Sequence, residues 1–248
     1  MKRSLAALLG IAFAATVSVP AQAMRIVVDG NALSDILDSI NQDGSTSIDV
    51  NEDQYLNGHD WTILDDAEGI AIETGAAADD AGAGSRLTFG VYDSTDAATR
   101  VGLLETGDPE GASFMLDILD DGTVFVNFKE TGVVFATNRF GFFLTDDVTT
   151  RYSDWHLNPE MGVHAIFFAG NNDLLQLGEW APEFFSPGEW IIAWEFGELA
   201  EGTRLFDDFV VLIGGGVVPA VEVPEPGTLA LLGLGLMGLG LSRRRKAN

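Results

Sequence analysis

Residues 113–128 read SFMLDILDDGTVFVNF. Two apolar runs, SFMLDIL (113–119) and TVFVNF (123–128), flank Asp120-Asp121-Gly122, which is a hairpin signal because Asp and Gly accept the backbone angles of a tight turn. In the second run Val124, Val126 and Phe128 share one face, with Phe125 and Asn127 on the other, the two-residue period of a strand. The same texture continues outward. LTFGVY (87–92), GVVFA (132–136), RFGFFLT (139–145), VHAIFFAG (163–170), EWIIAWEF (189–196) and DFVVLI (208–213) are short β-type runs separated by Gly, Asp and Asn. Such a chain predicts a mostly β fold, an antiparallel β-sandwich or jelly-roll-like domain. One short helix is expected near its start, where Leu33, Ile36, Leu37 and Ile40 recur at helical spacing in NALSDILDSI (31–40). FGVY (89–92) and FGFF (140–143) echo each other, and the glycine in each predicts a bulge or a close crossing of chains.

The two ends read differently from the middle. At the start, Lys2 and Arg3 precede an apolar stretch from Leu5 to Val17, and Ala21-Gln22-Ala23 is a small-x-small cleavage site. This is the pattern of a secretory signal peptide over residues 1–23, handled by the Sec translocon and signal peptidase. At the other end, Val223-Pro224-Glu225-Pro226 precedes a glycine-rich apolar run (227–242) and the basic cluster Arg243, Arg244, Arg245 and Lys246. The uncharged run is shorter than the roughly 20 residues of a comfortable membrane helix. It suits a transient stop in the inner membrane, with the basic cluster on the cytoplasmic side. The two prolines keep the preceding segment extended and short of amide donors, so a processing enzyme can reach it. The three parts in this order resemble the PEP-CTERM sorting signal of Gram-negative bacteria. The resemblance implies transient anchoring, processing by an exosortase near Pro224-Glu225-Pro226, and release to the cell surface or its extracellular polymer. The organisation expected is therefore a signal peptide (1–23), a β-sandwich domain (24–213), a linker (214–222) and a sorting tail (223–248) with a C-terminal hydrophobic helix.

Residues 24–221 hold seven of the 13 Lys and Arg and 36 of the 38 Asp and Glu, a net charge of −29. No basic patch outweighs that field, which excludes nucleic acid as a partner. Divalent cations fit it better, and an extracellular polysaccharide is the expected macromolecular partner. There is no cysteine, so thiolate nucleophiles and cysteine-bound metals are excluded.

The run order from the Leu-rich helix through YSDWHLN (152–158) and DDFVVLI (207–213) resembles a β-rich domain of unknown function that recurs in PEP-CTERM and other bacterial surface proteins. Its members end in an acidic strand–loop–strand that could bind calcium. By that resemblance Glu195, Asp207 and Asp208 match acidic positions and are the candidate calcium ligands. Phe196, Thr203 and Leu205 stand where acids would be expected. A second acidic stretch, NQDGSTSIDVNE (41–52), places oxygen side chains as an EF-hand loop does, but Thr46 replaces the glycine at its sharp bend, so it reads as a polar turn.

Recognisable catalytic motifs are lacking: there is no Gly-x-Ser-x-Gly elbow, phosphate loop or dinucleotide fingerprint. With 36 acids, any carboxylate pair could be nominated for glycoside hydrolysis, so none is informative. His164 shares a face with Ile166 and Phe168 and reads as a hydrogen-bonded, half-buried histidine rather than a metal ligand. Trp155, Trp180, Trp190 and Trp194, with Tyr152, cluster in the second half and could stack on sugars, but Trp190, Ile192 and Trp194 alternate within one strand, and core packing is the favoured reading. The expectation is a non-enzymatic surface or matrix protein, structural or adhesive. The alternatives are a calcium-assisted, lectin-like glycan-binding module and a glycan-active enzyme.

Overall fold

The computed structural model describes residues 25–55, 58, 60–64, 66–73 and 86–220. Two sheets face each other. One runs β15 (Val217–Pro219), β1 (Trp61–Ile63), β8 (Arg139–Thr145), β3 (Thr88–Asp93), β4 (Asp96–Glu105), with β9 (Thr150–Tyr152) also paired to β8. The other runs β10 (Ala165–Ala169), β13 (Trp190–Trp194), β14 (Phe209–Gly214), β2 (Ala67–Glu73), β5 (Ser113–Ile118), β6 (Thr123–Val126), β7 (Lys129–Val134). A two-stranded ribbon of β11 (Leu174–Leu175) and β12 (Glu183–Phe184) completes the strands. All pairings between these strands are antiparallel. The fold is the antiparallel sandwich that the run pattern predicts.

The hairpin at 113–128 forms as expected, with Leu116 opposite Val126 and Ile118 opposite Val124. Gly122 turns it at φ +85°, and a Cβ there would lie 1.8 Å from the Phe135 carbonyl oxygen. The strand stops sooner than the alternation suggests. Asn127 and Phe128 take φ of +51° and +64° and turn the chain into β7, so Phe128 points into solvent instead of sharing the face of Val124. The FGVY and FGFF echoes pair with each other. Gly90 lies opposite Phe143 and Gly141 opposite Tyr92, and a Cβ at either glycine would fall within 3 Å of the facing ring. Each glycine makes room for the other segment's aromatic side chain.

The second sheet is buried on both faces at β13 and β14, where every residue is buried. Trp190, Ile192, Trp194, Phe209 and Val211 face the other sheet, and Phe89 stacks on Phe142 and Phe209 at 5.7 Å to join the two. Ile191, Ala193, Val210 and Leu212 face the other way, under α1 (Ala32–Ile40), the ribbon and the loop after β13. Leu33, Leu37 and Ile40 of α1 enter this outer cluster as the helical spacing predicts. Double burial explains why WIIAW and FVVLI are apolar without alternation.

The expected linker at 214–222 needs correction. Gly214 ends β14, Gly215 and Gly216 turn with φ of +72° and +92°, and Val217–Pro219 return as β15 against Trp61–Ile63. A Cβ at Gly215 would lie 2.6 Å from the Asp66 carbonyl oxygen, so the glycine run makes a tight crossing between the two sheets. The folded unit reaches at least Ala220, whose amide donates to the Asp60 carbonyl.

Candidate functional site

Three residues far apart in sequence meet at one end of the second sheet. The register puts Ala165 opposite Trp194 and Trp194 opposite Phe209. His164, Glu195 and Asp208 are the adjoining residues of these three strands, so they line up beside one another. The Glu195 amide donates to the His164 carbonyl at 3.0 Å, and the Asp208 amide to the Trp194 carbonyl at 3.1 Å.

Glu195 is only 6% exposed. Its Oε2 accepts the amides of Leu205 at 2.8 Å and Phe206 at 3.0 Å. Asp208 Oδ2 accepts the Phe196 amide at 2.7 Å. Burial pushes the Glu195 carboxyl well above the usual range, and the Asp208 charge pushes it further, outweighing the two amides. The Glu195 carboxyl is thereby held toward its protonated form, with Asp208 as the neighbour that favours the proton. His164 is buried, with Nδ1 2.7 Å from the Glu195 carbonyl. Burial moves its pKa down to about 4, so the ring is neutral.

Of the calcium candidates, the structure brings Glu195 and Asp208 together, with Asp207 half-buried next to them in the chain. The donor set suits calcium poorly. Calcium needs six or more oxygen ligands, whereas Glu195 is held toward its protonated form and these carboxyls bind backbone amides. Among the described residues no group of three or more His, Cys, Asp or Glu is placed to hold a metal ion. What the acids do here is tie down the loop at 196–206. Asp29 grips the same loop from its far side, accepting the Gly202 amide at 2.8 Å and Arg204 Nε at 3.2 Å.

The stretch 41–52 forms a polar turn. Asn41 Oδ1 accepts the Asp43 amide, and Asp49 Oδ1 accepts the amides of Asn51 and Glu52. Asp173 clamps its middle, accepting the Ser47 amide and Ser47 Oγ at 2.8 Å each and Thr46 Oγ1 at 3.1 Å. His156 pairs with Asp154 and stacks on Trp155, away from His164 in the chain, while His59 lies outside the described residues.

The tryptophans divide. Trp190 and Trp194 are core, as their alternation predicts. Trp180 is 54% exposed yet held in place, its Nε1 donating to the Gly111 carbonyl at 2.8 Å. Phe184, 63% exposed, stands across a hollow of about 120 Å³ floored by Leu175, Leu177 and Phe185. Glu183 and Glu189 also line it, and burial raises the Glu189 pKa. Phe184 carries no signal in the sequence, because its exposure is a tertiary property.

The sorting residues Val223, Pro224, Glu225 and Pro226, the cluster Arg243, Arg244, Arg245 and Lys246, the signal cleavage residues Ala21 and Ala23, and the C-terminal hydrophobic helix lie outside the described residues. Among the described residues no helix is long and apolar enough to cross a membrane. Residues 222–246 match the family model of the PEP-CTERM protein-sorting motif. The tail is a PEP-CTERM sorting signal. It marks the chain as exported, sorted at a membrane and consistent with an exosortase substrate. No curated protein and no solved structure matches the chain.

Proposed function

We propose that the chain is a non-enzymatic surface protein, released by exosortase processing to the cell surface or extracellular matrix of a Gram-negative bacterium, where it plays a structural or adhesive part. The observation that carries this reading is the PEP-CTERM tail joined to a doubly covered β-sandwich. Buried Glu195 and half-buried Asp208 engage the backbone of their own loop, which supports a structural role for those carboxyls. The test is fractionation in a host carrying an exosortase. The intact protein should appear in the extracellular polymer fraction, shortened at its C-terminus. Replacing Pro224, Glu225 and Pro226 together by alanine should hold the unprocessed chain in the inner membrane. Unchanged release of that variant would sink the reading.

A second reading is favoured by one feature. Trp180 and Phe184 are exposed rings flanking a hollow with two carboxylates, an arrangement that suits a neutral pyranose: rings for its apolar face, carboxylates for its hydroxyls. On this reading the module binds glycan directly, with or without calcium. A glycan array probed with the wild type and with Trp180→Ala tests it, and an array signal that survives the substitution rejects this surface.

A further inference from the structure

Where the loop before β10 faces the loop after β13, the surface opens into a cleft of about 670 Å³. Arg151, His164 and Glu198 line it, with Ile26, Met161 and Leu199 supplying apolar surface. Its volume lies in the range usual for small-molecule sites.

Arg151 is held in one orientation. Its Nε donates to the Phe196 carbonyl at 3.0 Å, and its guanidinium carbon sits 5.9 Å from the Phe196 ring centre. Among the described residues it makes no ion pair, whereas Arg25, Arg86, Arg139 and Arg204 each pair with a carboxylate. Asp146 and Glu198 act on it only at longer range. Among the described residues Arg100 is the other half-buried arginine without an ion pair, but its guanidinium bonds Thr150 and does not line this cleft, so Arg151 is the cation that the cleft offers. Its terminal N–H groups form the flat fork that matches a carboxylate.

His164 presents a complementary atom. The Glu195 carbonyl can only accept, so Nδ1 carries the proton and Nε2 of the neutral ring offers a lone pair. His164 is only 3% exposed, and the lack of a Cβ at Gly162 is what leaves room beside that nitrogen. A Cβ at Gly162 would lie 3.0 Å from Nε2 and 2.9 Å from Leu199 Cδ1.

We infer that this cleft binds a hydroxylated carboxylate, with the carboxylate on the Arg151 fork, a hydroxyl donating to His164 Nε2, and apolar ligand surface against Met161 and Leu199. The same chemistry is offered by a sugar acid and by an open-chain hydroxy acid. The inference does not depend on the structural or adhesive role proposed above.

The test is calorimetric titration of the purified full chain, in mild detergent, with galacturonate, lactate and galactose. Galacturonate should bind in the millimolar range, and galactose, which lacks the carboxylate, should not. Lactate binding as tightly as galacturonate supports the same chemistry and makes an open-chain acid the source. Arg151→Gln should weaken galacturonate by about tenfold or more through loss of the charged fork. Gly162→Ala, which leaves Arg151 in place, should weaken it by covering Nε2. Near-ultraviolet circular dichroism checks that each variant is folded, and Arg151→Lys, which keeps the charge without the fork, provides a further variant should Arg151→Gln unfold. Galactose binding equal to galacturonate, no galacturonate binding at all, or undiminished binding by folded Arg151→Gln would each overturn the inference.

Discussion

Asp173 and Glu195 perform the same task at two places. Each reaches across to a neighbouring loop and accepts its donors, Asp173 one amide and two hydroxyls from the turn at 41–52 and Glu195 two amides from the loop at 196–206. Their protonation goes opposite ways. Burial raises the Asp173 pKa, but the bonds from Ser47, Asn171 and Thr46 together outweigh it and hold the carboxylate below its usual range. At Glu195 burial is deeper and Asp208 adds a like charge, so two amides do not suffice. Donated hydrogen bonds keep a carboxylate ionised only while enough hydration remains and no second carboxylate competes. An acid-rich loop is therefore not in itself a cation site, since the same residue type can serve as an ionised clamp or a protonated one.

The sharpest way to break this comparison is Glu195→Ala. It strands two backbone amides and removes the neighbour of Asp208, and should lower stability by about 3 kcal/mol, the cost of leaving buried hydrogen-bonding groups unsatisfied. Glu195→Gln keeps an acceptor for the amides and a donor for Asp208. It should remain within about 1.5 kcal/mol of the wild type near pH 6, the net worth of an ordinary hydrogen bond. Urea unfolding of the two variants measures the difference, and equal losses would mean that the proton on Glu195 is irrelevant.

Next comes pH. The His164 pKa is depressed on folding, from 6.5 to about 4, so the unfolded chain takes up the proton first. Stability from its neutral form is intact above 6.5 and is lost as pH falls through about 4, amounting to roughly 3 kcal/mol. Glu195 has the reverse sign. Its pKa is raised on folding, so stability is present at acid pH and is lost as pH rises from the usual carboxylate range through the raised value. Unfolding midpoints followed from pH 4 to 9 should trace a dome, with His164→Gln flattening the acid limb and Glu195→Gln the alkaline one. An alkaline limb unchanged in Glu195→Gln would contradict the protonated pair.

Asp173→Ala removes a half-exposed clamp and should cost about 1 kcal/mol, with no change in the alkaline limb. The smallest effect expected is that of calcium. A site occupied at 100 times its dissociation constant would add about 2.7 kcal/mol. With Glu195 held toward its protonated form, Asp49 bonded within its turn and Glu52 paired with Arg25, calcium against chelator should leave the melting temperature within about a degree. A saturable upshift would show that the Glu195 and Asp208 pair, or the turn, releases its amides to take up the ion.

Some of this was legible from residues alone. The Asp120-Asp121-Gly122 turn and the runs around it follow from local rules, because a tight turn and a two-residue period need only neighbours. The helix at 32–40 was visible for the same reason. Gly214-Gly215-Gly216 misleads as a linker, since what makes those glycines a turn is the closeness of Asp66, in the connection before β2. His164, Glu195 and Asp208 look unrelated until the registers of β10, β13 and β14 align them. Arg151 has no local signature beyond being one of the few cations, and only the facing loops make it part of a cleft.

The sequence by itself determined the chain's address, because the sorting motif is a local stretch of residues, and it determined the β class, because strand alternation is local. The tertiary structure decided which apolar runs are covered on both faces, which acids carry a proton and which aromatic rings meet solvent. Those properties depend on distance and dielectric between residues that the chain order keeps far apart.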